Sequence, residues 1–240
     1  MRYVISDIHG CYKEYLDLLN KIHFSDEDYL YVLGDAGDRG PNPIEVLLDL
    51  AGRKNVTYVV GNHDLHLHYF IRKCGLDYSK LENDDDRWDY KFWQADGGLT
   101  TTDGYLMLSK PEKKIIFDFL DNANVYDELE YDGKRYIMVH GGIGNFDESL
   151  DLDDYDFTTF IFDRMDYSKR YYKNENTYII TGHTPTMSFR KDRKAEVYQE
   201  NGHIAIDCGC VYGFRLAAYC IETGETFYVD SFNNRLGKEK

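Results

Sequence analysis

Residues 2–10 read RYVISDIHG, a short β-prone run that gives way to Asp7, His9 and Gly10. The same rhythm returns twice downstream. Tyr29–Leu33 (YLYVL) ends in Gly34-Asp35, and Val56–Val60 (VTYVV) ends in Gly61-Asn62-His63-Asp64. Behind each polar segment, apolar residues recur at helical spacing: Tyr12, Tyr15, Leu16, Leu19 and Ile22; then Ile44, Leu47, Leu48 and Ala51 behind Pro43; then Leu67 and Phe70. Strand, polar loop and helix, repeated in this way, predict a βαβαβ unit with a parallel sheet and right-handed crossovers. The loops at the C-terminal ends of such strands converge on a crevice, so their polar residues belong at one place.

Farther along, the pattern changes. Asp132-Gly133 separates Val125–Tyr131 from Arg135–Val139, and Asn201-Gly202 separates Ala195–Gln199 from His203–Asp207. Thr223-Gly224 lies between Arg215–Ile221 and Thr226–Val229. These turn dipeptides predict hairpins, so antiparallel strands should dominate late in the chain. Helical segments are expected near Pro111–Leu120 and Asp156–Met165, while Asn83–Asp89 (NDDDRWD) reads as solvated loop and the tail from Asn234 as a frayed end. The fold class that follows is α/β, two packed mixed β-sheets flanked by helices, in one domain over residues 1–240. A chain of 28.1 kDa buries about 70% of its surface on folding, ample for one core.

Composition narrows the function. Hydrophobic residues at 42% and aromatics at 15% exclude a disordered chain despite 30% charge. No run of about 18 apolar residues is available to span a membrane. A formal charge of −15, from 43 acidic and 28 basic residues, argues against a general nucleic-acid binder. It leaves room for a phosphate substrate where metal ions reverse the sign locally. Asp7 interrupts the apolar stretch a signal peptide needs, and five cysteines leave at least one unpaired, so a cytoplasmic protein is expected.

Asp7 and His9 follow the first strand, Asp35 and Asp38 the second, and Asn62 and His63 the third. Two later segments supply imidazoles on the same plan: Tyr136–Val139 runs into His140-Gly141-Gly142, and Tyr178–Thr181 into Gly182-His183-Thr184-Pro185. His9, His140, His183, Asp7, Asp35 and Asn62 form a set of nitrogen and oxygen donors suited to Mn²⁺, Fe or Zn²⁺. The set exceeds what one tetrahedral site needs. A two-metal site with one bridging carboxylate uses all of it. His66, His68, Cys208, Cys210, Tyr167, Tyr171 and Tyr172 read as structural.

SDIHG (residues 6–10), GDAGDRG (34–40), GNHD (61–64), HGG (140–142) and GHTP (182–185) resemble, in order, the signature blocks of the PPP-type metallophosphoesterases. That family includes bacterial and phage serine/threonine protein phosphatases. IDCGCVYGFR (206–215) resembles its closing strand region, and WQADGGLTT (93–101) the Trp…Gly-Gly…Thr segment of bacterial protein phosphatases. GNHD followed by Leu65-His66 is more similar to the symmetrical diadenosine tetraphosphatases.

The resemblance implies a calcineurin-like sandwich. Asp7, His9 and Asp35 would hold the first metal, and Asp35, Asn62, His140 and His183 the second. His63 would be the general acid, oriented by Asp38, while Arg39 and Arg164 grip the phosphate. The implied function is a phosphomonoesterase, a serine/threonine protein phosphatase, in which a hydroxide bridging two divalent ions, Mn²⁺ foremost, attacks phosphorus. Its partner would be a phosphorylated protein or small phosphoester, with no nucleic acid or membrane. Dinucleoside polyphosphate hydrolysis and a non-catalytic metal- or phosphate-binding module are the alternatives.

Overall fold

The computed structural model describes residues 1–232. The first unit runs β1 (Arg2–Ile5), α1 (Tyr12–Lys21), β2 (Tyr29–Leu33), α2 (Pro43–Gly52), β3 (Val56–Val59) and α3 (Asn62–Cys74). Three helices follow: α4 (Asp84–Trp93), α5 (Leu99–Met107) and α6 (Lys110–Asp121). The remainder is β4 (Tyr126–Tyr131), β5 (Lys134–Val139), α7 (Phe157–Phe162), β6 (Thr177–Thr181), α8 (Thr186–Phe189), β7 (Tyr198–Glu200), β8 (His203–Ala205), β9 (Arg215–Cys220) and β10 (Thr226–Asp230).

The strands form two five-stranded sheets, ordered β10-β9-β1-β2-β3 and β4-β5-β6-β8-β7. β1, β2 and β3 are parallel, as the repeated rhythm predicts. Their residues alternate between two cores. Tyr3, Ile5, Leu30 and Val32 face the layer of helices, while Val4, Tyr31 and Leu33, with Ala217 of the same sheet, face Met138 and Ile180 across the sandwich. With both faces buried, such strands read as continuous apolar runs rather than alternating ones. The outer face of the second sheet packs Ile137, Val139 and Ile179 against Phe160 of α7.

The turns form as their dipeptides predict. Asp132 and Gly133 have φ of 48° and 72°, and Asn201 and Gly202 have φ of 54° and 75°, the left-handed pair of a tight hairpin. The late strands are nonetheless more parallel than expected. The hairpins pair β4 with β5, β7 with β8 and β9 with β10, but β5, β6 and β8 run parallel through the centre of the second sheet. A hairpin fixes only its own pair, and crossovers through α7 and α8 set the rest.

The acidic run is a helix rather than a loop. Asn83 Oδ1 accepts from the Asp86 amide at 2.6 Å, and Asp84, Asp85 and Asp86 occupy the first turn of α4, where carboxylates complement the helix dipole. Tyr90 and Trp93 are buried on its inner face. The tail from Asn234 lies outside the described residues. Cys208, Cys210 and Tyr167 are buried, and Tyr167 stacks on Phe189 at 4.0 Å. No helix among the described residues is long and apolar enough to cross a membrane.

Candidate active site

The loops leaving β1 and β2 zip together beyond their strands: the Asp7, His9 and Gly10 amides donate to the Gly34, Asp35 and Ala36 carbonyls at 3.1, 2.9 and 2.9 Å. Asp64 ties the third loop to them, accepting from the amides of Gly61 (2.9 Å) and Asp35 (2.7 Å) and from the Tyr58 hydroxyl (2.7 Å). A Cβ on Gly61 would sit 2.2 Å from Asp35 Oδ1, so only glycine lets this carboxylate in. Asp7, His9, Asp35, Asp38, Arg39 and His183 all have φ between 45° and 65°. Such left-handed backbone costs energy for a side-chain-bearing residue and is found where the surrounding structure forces it, commonly at functional sites.

Asp35 is the hub. Its Oδ2 lies 3.4 Å from His9 Nε2 and 3.5 Å from His140 Nε2. Among the described residues, His9, Asp35 and His63 form one group with ligand atoms inside 4.8 Å of each other, and Asp35, His140 and His183 form another. His9 Nδ1 is bonded to the Gly37 carbonyl at 2.9 Å and His140 Nδ1 to the Leu33 carbonyl at 2.8 Å. A carbonyl partner puts the proton on Nδ1 and turns an Nε2 lone pair toward Asp35. Asn62 Oδ1 lies 3.1 Å from the same His140 Nε2. Lone pairs facing lone pairs repel unless a cation lies between them, so the donor set fits divalent metal. Asp7 falls outside both groups. It borders them, accepting from the His183 amide at 2.9 Å.

The electrostatics agree. Burial pushes Asp7 up to about 6 and raises Asp35 and Asp207 as well, with other buried carboxylates adding to the effect. These carboxylates are crowded together, with too few cationic side chains to offset them. Burial, then His140 and Arg164, pull His183 down to about 3, which leaves it a neutral nitrogen donor.

His63 behaves differently. Burial works against its charge, but the carboxylates of Asp35 and Asp38 outweigh that and push it up to about 9. Its Nδ1 bonds Asp38 Oδ2 at 2.7 Å, while Nε2 has no hydrogen-bond partner among the described residues, with Asp96 Oδ2 at 3.3 Å. Asp38 is itself pinned: Trp93 Nε1 donates to Oδ2 at 2.5 Å and the Thr101 hydroxyl to Oδ1 at 2.5 Å. Arg39 Nη1 lies 2.7 Å from His9 Nε2, and Nη2 pairs with Asp96 at 3.0 Å. Gly97, at φ 115°, brings its backbone against Arg39, where a Cβ would meet Arg39 Cγ at 2.4 Å. Arg164 arrives from the far side. α7 ends at Phe162 rather than running to Met165, which frees Arg164 to donate to Thr184 Oγ1 at 2.7 Å beside His183.

The structure thus brings every expected site residue to one crevice and adds others. Asp207 is buried among Asp7, Asp35 and Arg39. It follows an apolar run as Asp7 and Asp35 do, so the same rule could have flagged it. Asp96 carries no such signal, since it sits in a short π-helical turn between α4 and α5. Tyr212 lies with its ring 5.7 Å from the Arg39 guanidinium, inside a segment that resemblance singles out only as a block.

Residues 2–213 match the calcineurin-like phosphoesterase family. The chain is 31% identical to the asymmetrical bis(5′-nucleosyl)-tetraphosphatase PrpE of Bacillus subtilis, over 95% of this chain and 93% of that one. Its fold is similar to a solved structure provisionally named a diadenosine tetraphosphatase, with a TM-score of 0.66 and 18% identity over 97% and 94% of the two chains. It is also similar to a serine/threonine phosphatase from Saccharomyces cerevisiae, with a TM-score of 0.55 and 14% identity over 96% and 79%. The chain therefore belongs to the calcineurin-like phosphoesterases, metal-dependent hydrolases whose family works with a dimetal centre.

Proposed function

We propose that this metallophosphoesterase hydrolyses dinucleoside polyphosphates, cutting diadenosine tetraphosphate asymmetrically. The observation that carries the reading is likeness from end to end: 31% identity over 95% of the chain to a protein named for that reaction. Asp7, His9 and Asp35 would hold one divalent cation, and Asp35, Asn62, His140 and His183 a second. Mn²⁺ is the expected ion for these nitrogen and oxygen donors. When bound, such a pair polarises phosphoryl oxygens and supplies hydroxide near neutral pH.

The chain's own side chains do the rest. Arg39 and Arg164, on opposite sides of the crevice, offer permanently charged planar forks to the non-bridging oxygens. In a protein of charge −15 these cations offset the repulsion a polyphosphate meets. His63 presents Nε2, the nitrogen without a hydrogen-bond partner, and from it protonates the departing oxygen. Asp38 holds the ring in place through Nδ1.

The test is to supply Mn²⁺ and diadenosine tetraphosphate and to resolve the nucleotides by anion exchange. ATP and AMP in equal amounts are expected. Two ADP would move the cut to the centre of the phosphate chain. Phosphate release from a phosphoserine peptide with no nucleotide product would overturn the reading in favour of a protein phosphatase. That second reading has one specific support: Trp93 and Thr101, from the segment that resembles protein phosphatases, are the residues that pin Asp38.

A further inference from the structure

Beside Arg39, a cavity of about 290 Å³ opens between the first turn of α1, the loop after β2 and the end of β10. It lies just under the usual range of ligand sites, which starts at about 300 Å³. Its apolar walls are Val211 and Phe232. The Phe232 ring is 43% exposed yet held, because its amide donates to Glu14 Oε1 at 2.7 Å and the Lys13 ammonium lies 4.5 Å over the ring. The polar wall is Asn42 and Glu14. Among the described residues the Asn42 side chain makes one hydrogen bond, a long one of 3.4 Å to Glu45. Glu14 is a buried carboxylate that the proposed chemistry does not use.

We infer that this cavity receives an amino-bearing purine base of the substrate, a deepening that rests on the dinucleoside polyphosphate reading. Three features point the same way. Arg39 joins the cavity to the crevice: the residue lines one, and its guanidinium lies 2.7 Å from His9 in the other. A 5′-nucleotide has only a ribose between phosphate and base, so with its phosphate at Arg39 its base falls in the cavity. A fixed, half-exposed aromatic ring is the platform on which bases stack. An amide and a carboxylate lining the same cavity match the donor and acceptor edge of adenine, whose exocyclic amine donates while its ring nitrogens accept.

The experiment uses the Mn²⁺-loaded enzyme and two variants, Phe232→Ala, which removes the platform from an exposed position, and Val211→Trp, which fills the cavity. AMP binding is followed by saturation-transfer NMR on the adenine protons. Turnover is compared between diadenosine tetraphosphate, diuridine tetraphosphate and p-nitrophenyl phosphate, which carries no base. Each variant should weaken AMP binding about tenfold and raise KM for the adenine substrate by a similar factor. kcat/KM for the adenine substrate should fall relative to that for p-nitrophenyl phosphate, and the preference for adenine over uracil should shrink. Efficient cleavage of diadenosine tetraphosphate with AMP binding and KM untouched in both variants would overturn the base site while the substrate reading stood. Absence of nucleotide cleavage in the parent enzyme, with phosphopeptide turnover intact, would sink the substrate reading and the base site together.

Discussion

His63 and His183 face the same crevice from opposite sheets, and their environments drive them in opposite directions. The first-sheet wall surrounds His63 with Asp35 and Asp38 and lifts it to about 9. The second-sheet wall sets His140 and Arg164 beside His183 and drops it to about 3. Burial alone disfavours charge on both rings, so the sign of the neighbours decides the outcome. His63 is set to keep a proton and His183 to offer a lone pair. A two-metal hydrolase needs both.

The strongest way to break this contrast is to remove the carboxylate the two walls share. Asp35→Asn keeps the volume but removes the charge that faces both His9 and His140. We expect turnover to fall by roughly 10³-fold or more and bound manganese per chain, measured by plasma mass spectrometry, to drop. Activity within tenfold of the parent would show that Asp35 is not the hub.

His63→Asn attacks the proton-holding wall alone. Losing the proposed general acid should cost about 10²–10⁴-fold, scaled by how badly the leaving group needs the proton. An alkoxide from a phosphoserine peptide needs it far more than a phosphate leaving from an anhydride. The penalty should therefore be larger on the peptide than on diadenosine tetraphosphate, with manganese content unchanged. Equal penalties on both substrates would assign His63 to metal binding, as its place in the group with His9 and Asp35 allows.

Thr101→Val is a milder probe of the same wall. Thr101 donates to Asp38 Oδ1 and accepts from the Asp38 amide at 2.8 Å, so the change loosens the residue that orients His63. A hydrogen bond to a charged group is worth about 1.5–3 kcal/mol, and a loss of about tenfold in kcat with KM little changed is expected. Thr101→Ser should restore most of it. A rise in KM alone would count against orientation.

These walls also differ in how far the sequence discloses them. Asp7, His9, Asp35, Asn62 and His63 each follow a short apolar run, so topology alone places them together. His140 and His183 obey the same rule, though their strands lie in the other sheet and only the sandwich brings them across. Asp207 obeys it too, in a segment where cysteines and glycines draw attention away. Asp96 and Tyr212 fall inside segments that resemblance marks only as blocks, and contact with Arg39 singles them out in three dimensions. Asp84–Asp86 misleads for a different reason: charge density resembles a solvated loop until the Asn83 cap and the buried Tyr90 and Trp93 are seen to organise a helix.

A third imidazole, remote from the crevice, separates structural burial from site chemistry. His203 is 1% exposed on the outer face of the second sheet, with Nε2 bonded to the Lys169 carbonyl at 2.8 Å and Nδ1 unpartnered among the described residues. Tyr167 and Tyr171 meet its ring edge-on at 5.4 and 5.3 Å. Burial, helped by Arg170, lowers its pKa against the opposing pull of the Lys169 carbonyl and Asp166. A lowered folded pKa means that the unfolded chain takes up a proton first, near 6.5. The stability His203 contributes is thus complete above pH 6.5 and is lost as pH falls toward the folded pKa, at no more than about 1.4 kcal/mol per pH unit. Urea midpoints between pH 7.5 and 5.5 should decline less steeply for His203→Gln than for the parent, whatever the offset between the two curves. Parallel curves would mean that His203 titrates alike in the folded and unfolded chain, so that its burial adds nothing to the acid sensitivity of the fold.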